Sequence, residues 1–362
     1  MDKVGHNHKG FALLLVLMLI ATGAVVGMSY LYGASVKTAS AANLVLASRA
    51  RYLAESGLAH GLFALQDNPA AQGSSQSPVE PYFADNTSDT YVFYIASVGS
   101  PGLFTVTATG TVGNITQSVS MNVQVSNEYA QKVSDLAPVS WWRLGDTGST
   151  AVDQIGANDG VYENGVTVGA GGVIVGDYDT AADFDGYNDY VDLNDMDVYG
   201  QGLTIAAWAR LDDWDYNEGH IISKSEEDDR DKHYWAILTD GDHKLRFYLR
   251  AGTSSDAKEV KPDTGEVEAG QWFFVVGTYD GSKMRLYKDG VFLKSCDNSG
   301  DIKTNAGIET WIGGNASGTM NRRWDGTIDE VFILNYPLSD SQIQDLFETR
   351  SAPKVEVVLW NE

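Results

Sequence analysis

The chain has 362 residues, room for two or three domains, and an ordinary hydrophobic share of 43 %. Its formal net charge is −24, with residues 1–66 at +3 and the remainder at −27, which excludes nucleic acid and anionic lipid as partners of the body. Cys296 is the only cysteine, so no intrachain disulfide can form, and 38 glycines with nine tryptophans point to turn-rich β-structure.

Residues 1–10 form a short polar leader with Lys3 and Lys9, and from Phe11 to Val36 there is no charged residue. A helix rises about 1.5 Å per residue, so this run would span roughly 39 Å against a bilayer core of about 30 Å. The expectation is a single-pass inner-membrane protein, N-terminus cytoplasmic and bulk periplasmic or at the cell surface. Proline is absent from 34–66, and Leu58, Leu62 and Leu65 continue a helical stripe. One helix is therefore expected over 11–66, ended by Asp67-Asn68-Pro69.

Residues 67–127 read as a linker followed by a small antiparallel meander, with strands at Thr90–Val98, Leu103–Gly110 and Ile115–Ser126. Residues 127–137 read as a connector. From 138 to 350 many short strands alternate with Gly/Asp/Asn turns, the pattern of a β-sandwich or jelly roll. Expected strands include Leu203–Arg210, His220–Ser225, Trp272–Tyr279, Lys283–Lys288 and Gly326–Leu334. Ser339 is the expected N-cap of a helix carrying Ile343, Leu346 and Phe347 on one face. The tail, 351–362, holds one more apolar strand that could return to the meander.

The leader, Gly10, Phe11 and the apolar run resemble the N-terminal signal of type IV prepilins and type II secretion pseudopilins, as does Tyr52-Leu53-Ala54-Glu55-Ser56-Gly57-Leu58. The resemblance implies cleavage between Gly10 and Phe11 by prepilin peptidase, and other pilin or pseudopilin subunits as partners. Major pilins carry glutamate at the fifth mature position; here that residue is Leu15, as is typical of the tip-capping minor pseudopilin. A carboxylate in hydrocarbon is costly unless paired, and a subunit that sits first has no use for one.

Val139–Leu144, Phe184-Asp185-Gly186, Leu203–Ala209, Gly270-Gln271-Trp272, Leu286–Gly290 and Gly326–Val331 resemble laminin-G-like domains of the concanavalin A-like superfamily. This resemblance implies a jelly roll that binds carbohydrate or protein, often with a structural calcium ion. The fold class that follows is mainly β with a long N-terminal helix: a membrane-spanning pilin-like helix, a small meander, then a LamG-type jelly roll.

By resemblance, Asp329 with Asp185 near it is the candidate calcium site, since the ion needs hard oxygen ligands. Asp213, Asp215 and Asn217 alternate like the start of a calcium loop, although Glu218 stands where such a loop needs glycine. Trp214, Tyr216 and Trp324 fall in expected loops and are candidates for a glycan platform. Trp141, Trp208, Trp272 and Trp311 read as core by alternation. The fold also hosts glycoside hydrolases, which need a carboxylate pair. Glu266-Val267-Glu268 is the nearest alternation and lies in a loop, while Asp329 and Glu330 are adjacent and would face opposite ways. No catalysis is therefore expected. The reading is a minor pilin-like surface subunit at a filament tip, displaying an adhesion domain for an extracellular glycan or protein. The alternatives are a single-pass anchored binding or scaffold protein with no filament role, and a membrane-tethered glycosidase.

Overall fold

The computed structural model describes residues 18–22, 38–69, 71, 73–74, 89–213, 218–226, 232–316 and 322–361. The chain divides into two units, Met1–Asn127 with Pro353–Glu362, and Glu128–Ala352.

In the first unit a 30-residue helix, α1 (Thr38–Asp67), lies on a five-stranded antiparallel sheet. The strands are β1 (Gly73–Ser74), β2 (Thr90–Ser97), β3 (Leu103–Val112), β4 (Ile115–Ser126) and the last strand of the chain, β21 (Lys354–Asn361), in that spatial order. The tail strand does return to the meander as its fourth strand, and only the two-residue β1 adds to the expected set. β21 pairs with β4, so that Lys354 faces Ser126 and Val355 faces Val125. Every second residue of β3 is buried, and Phe104, Val106 and Ala108 meet Ala54, Leu58 and Leu65 of the helix. Small residues set the helix-to-sheet distance. A Cβ at Gly110 would come within 2.6 Å of Ala54 N and 2.7 Å of Leu53 Cβ, so the two backbones touch where only glycine fits.

Among the described residues no helix is long and apolar enough to cross a membrane, which overturns the single-pass inner-membrane placement. The described helix is of a different kind. It carries Arg49, Arg51 and Glu55 and spends its apolar stripe on the sheet. Of the apolar run itself, only 18–22 is described, as helical backbone; Gly10, Phe11 and Leu15 lie outside the described residues.

The second unit opens with α2 (Tyr129–Asp135), in the stretch expected to be a bare connector. Its strands are β5 (Ser140–Trp142), β6 (Thr150–Ala151), β7 (Gly160–Glu163), β8 (Thr167–Gly171), β9 (Thr180–Asp185), β10 (Tyr190–Asp192), β11 (Leu203–Leu211) and β12 (His220–Ser225). They continue with β13 (His233–Thr239), β14 (Leu245–Leu249), β15 (Lys258–Val260), β16 (Trp272–Tyr279), β17 (Lys283–Lys288), β18 (Val291–Asp297), β19 (Thr310–Ile312) and β20 (Asp325–Leu334). α3 (Asp340–Thr349) follows, started by a capping box between Ser339 and Gln342.

Two eight-stranded antiparallel sheets result. The back sheet runs β18-β17-β16-β11-β20-β9-β8, with β5 also on β20; the front sheet runs β15-β14-β13-β12-β19-β10-β7-β6. The strongly apolar strands of the back sheet are explained by burial on both faces. Ile205, Ala207 and Ala209 of β11 face the front sheet. Ala206 and Trp208 face the other way, into a second core with Tyr129 and Val133 of α2 and Ile343 and Leu346 of α3. Gly277 lets the sheets close up, because a Cβ there would press into the ring of Phe247.

Candidate functional site

Helices cover the outer face of the back sheet. The front sheet directs Ile222, Ile237, Phe247 and Ile312 into the core, so their strand neighbours project from its opposite face. On β10 and β19, Val191 pairs with Ile312 on the core side and Asp192 with Trp311 on the other. Tyr190 and Trp311 are therefore diagonal neighbours on the outer face. Their rings stack with centroids 3.7 Å apart and planes 18° apart.

Arg323 completes the group. Its guanidinium lies 4.6 Å from the centre of the Trp311 ring and 4.8 Å from that of Tyr190. Gly314 makes the room: a Cβ there would collide with Arg323 Nη1. The next residue, Trp324, is fixed by its backbone N–H to Gly313 O at 3.0 Å. The turn into β10 supplies the other wall. Asp185 Oδ1 accepts the backbone N–H of Tyr187 at 2.9 Å and of Asn188 at 3.2 Å, Gly186 takes φ +70°, and Asp189 Oδ2 accepts Asp185 N–H at 3.2 Å.

Several polar atoms of this group are buried and make no hydrogen bond: Arg323 Nε and Nη1, Trp311 Nε1 and Asp189 Oδ1. Such atoms are costly unless something completes them. Burial lowers the Arg323 pKa, against the pull of Tyr190, Asp185 and Asp189. Burial likewise raises Asp189, and Asp185 and Asp183 add to it. Glu163 sits opposite Tyr190 and Asp192 opposite Trp311, so the rim is acidic. Tyr187, 64 % exposed, lies on the turn.

Further along the front sheet, His220 is fully buried and neither ring nitrogen makes a hydrogen bond. Burial, then His233, Arg322 and Arg323, hold its pKa well below the usual imidazole value. Its ring meets that of His233 edge-on at 5.3 Å, and His233 Nδ1 lies 2.7 Å from Ser225 Oγ.

The sequence candidates are scattered by the fold. Asp329 is 3 % exposed, and its Oδ2 accepts Val173 N–H at 2.9 Å. The strand partner of Asp185 is Asp325, which leaves Asp329 four residues, about 13 Å of strand, away. Asp185 spends one oxygen on its own turn. Asp329 and Asp185 are thus too far apart to share the one calcium ion that the resemblance implies. Asp213 is exposed; Asp215, Asn217, Trp214 and Tyr216 lie outside the described residues. Trp324 offers no face to a ligand. It is fully buried, edge-on to Phe273 at 6.2 Å and close against Gly219.

Asp329 and Glu330 belong to a buried network. A bulge between Ala206 and Trp208 of β11 sets Glu330 at φ +52° on the facing strand. Glu330 then accepts Trp141 Nε1–H at 2.7 Å on Oε2 and Arg143 Nε–H at 2.9 Å on Oε1. Arg143 also holds Asp177 at 2.7 Å and Asp179 at 3.0 Å. Burial raises both Asp329 and Glu330, the latter to about 7. With both Glu330 oxygens committed as acceptors, the negative charge of the pair belongs there and the proton on Asp329.

Tyr190 and Arg323 carry no signal in the sequence reading; Trp311 is buried, as alternation suggests, but on the face opposite Ile312. The signal for that face was present: in Thr310-Trp311-Ile312, an inward Ile312 forces Trp311 outward.

Residues 185–344 match the family model for the concanavalin A-like lectin/glucanases superfamily, Laminin_G_3. This stretch is a laminin-G-like, concanavalin A-type domain. No curated protein matches the chain. Among solved structures, a Trypanosoma rangeli sialidase with 2,3-difluorosialic acid is 15 % identical, over 72 % of this chain and 44 % of its own, with TM-score 0.43. The ligand-binding domain of botulinum neurotoxin serotype D with N-acetylneuraminic acid is 15 % identical, over 60 % of this chain and 52 % of its own, with TM-score 0.45. The chain thus spans about half the length of the solved structures it matches.

Proposed function

We propose that the laminin-G-like unit binds carbohydrate without turning it over, and that the helix-and-sheet unit displays it for adhesion. The observation that carries this is the Tyr190–Trp311–Arg323 group. Two aromatic rings and a guanidinium stack on the outer face of a lectin-type sheet, with Tyr190 partly exposed. The common route of glycoside hydrolysis uses two accessible carboxylates flanking the scissile bond. Asp329 and Glu330 are sealed inside the unit, and Asp185 and Asp189 close their own turn. A glycan array probed with the full chain is the test. Retention of oligosaccharides, lost in Tyr190→Ala and without cleavage of the retained sugar, supports the reading. No retention, or turnover, overturns it.

A second reading concerns the first unit. Leu44, Val45 and Phe63 of α1 are about half exposed, on faces the sheet does not use. They suit a helix that packs against other subunits of a pilin-like filament after cleavage between Gly10 and Phe11. N-terminal sequencing of the mature protein then reads Phe-Ala-Leu-Leu; a retained Met1 overturns it.

A further inference from the structure

We infer that Lys224 and Asp197 become joined by an amide bond between their side chains, formed by the folded chain itself with Asp195 as the proton carrier.

Lys224 differs from the other lysines of the molecule. It lies on β12 two residues after Ile222, directly opposite Trp235 of β13 and Thr310 of β19. It therefore points with Ile222 and Trp235 into the core between the sheets. Its side chain is fully buried, whereas among the ion pairs of the described residues every other lysine is at least 22 % exposed. In the segment before β11, Met196 and Val198 enter the same core, and the alternating Asp195 and Asp197 meet the amine. Lys224 Nζ lies 2.6 Å from Asp195 Oδ1 and 2.9 Å from Asp197 Oδ1.

The surroundings give the two aspartates different roles. Asp197 is only 8 % exposed, and its Oδ1 also accepts the backbone N–H of Asn305 at 3.2 Å. That donor stabilises the charge that develops on Oδ1 when the amine adds to Cγ. Asp195 is 37 % exposed, so it touches both the amine and solvent and can carry protons between them. A proton first moves from the Lys224 ammonium to Asp197 Oδ2, giving an amine and a carboxylic acid. Nζ then adds to Cγ while Asp195 takes one of its protons. Asp195 hands that proton to the Oδ2 hydroxyl, the Cγ–Oδ2 bond breaks, and one water leaves. Nothing besides the chain is consumed.

Two features favour the product. Amine and carboxyl are held in contact, so the reaction is intramolecular. A neutral amide also replaces an ion pair whose desolvation in the core is costly. The bond ties the segment that follows β10 to β12, the two strands that flank β19.

Peptide mapping by mass spectrometry, on the full chain unfolded just before tryptic digestion, tests this. The expected product is one branched peptide holding Asp197 and Lys224, uncut after Lys224 and lighter than its two parts by one water. Asp195→Asn keeps both reacting groups and is expected to slow linkage roughly a hundredfold, leaving mostly separate peptides in freshly made protein. Lys224→Met keeps an apolar stem and removes the link outright. Separate peptides of full mass from the unsubstituted chain overturn the inference. A branch to Asp195, or undiminished linkage in Asp195→Asn, overturns the roles given to the two aspartates.

Discussion

Arg143 and Glu330 stand 187 residues apart in sequence and meet at 2.9 Å inside the second unit. The guanidinium is the cation that Glu330, Asp177 and Asp179 share. Breaking a buried pair leaves an uncompensated charge, which costs more than the pair contributes when intact. Arg143→Met is expected to destabilise the unit by about 3–5 kcal/mol, read by urea unfolding. A loss under about 1 kcal/mol would mean the network is solvated like a surface pair.

The same network sets a pH dependence. Glu330 is raised to about 7 and Asp329 is raised with it, so the folded chain holds a proton that the unfolded chain releases near the ordinary carboxylate value. That contribution to stability is complete below the unfolded pKa and is lost as pH rises through about 7. The thermal midpoint should fall between pH 5 and 8 as the Asp329–Glu330 pair loses its proton, and the fall should be smaller in Asp329→Asn, which replaces the proton-bearing carboxyl with a neutral amide. An identical slope in the variant refutes the assignment.

His220 works in the opposite sense. Its folded pKa is depressed, so its contribution is present above the usual imidazole value and is lost as pH falls below it. Replacing it with an apolar ring, His220→Phe, should raise the midpoint at pH 5 more than at pH 8. Calorimetry at the two pH values decides; an equal change at both would assign the effect to packing.

Gly110 predicts the behaviour of the first unit. A methyl there meets the α1 backbone, and neither element can yield without separating. Gly110→Ala should cost about 2 kcal/mol or more, seen as early loss of helical circular dichroism. The control is Gly148→Ala, where nothing lies within 4 Å and φ is ordinary; it should be near neutral.

The separation of Asp329 from Asp185 gives a prediction about calcium. Chelation should leave both the thermal midpoint and sugar retention unchanged. A rise of several degrees on adding millimolar calcium would show a site outside these residues.

The readable parts of the sequence were those whose signal is local. β12, β16 and β17 appear as continuous strands bounded by turn residues, and the Ser339–Gln342 box marks α3 within four residues. β6 and β15 are two- and three-residue pieces whose pairing depends on neighbours far along the chain, so no window contains their cause. The site fails to show for the same reason. Tyr190, Trp311 and Arg323 come from three separate segments, and Arg323 lies next to the tryptophan that the sequence favoured. Trp324 looked like a loop aromatic because the strand begins one residue later, at Asp325. The apolar run after Phe11 shows the converse, a strong local pattern that suggested a membrane span which the described helices do not provide.

The pairing of Lys354 with Ser126 has a consequence for the order in which the protein is made. On the ribosome, β4 emerges and then waits, its outer edge bare, while more than two hundred further residues are synthesised. Only afterwards does β21 arrive to cover it. The large unit must therefore fold before the two ends of an otherwise long loop are brought back within reach. In the interval the edge of β4 is open to any extended segment nearby, and a chaperone that guards strand edges would act there.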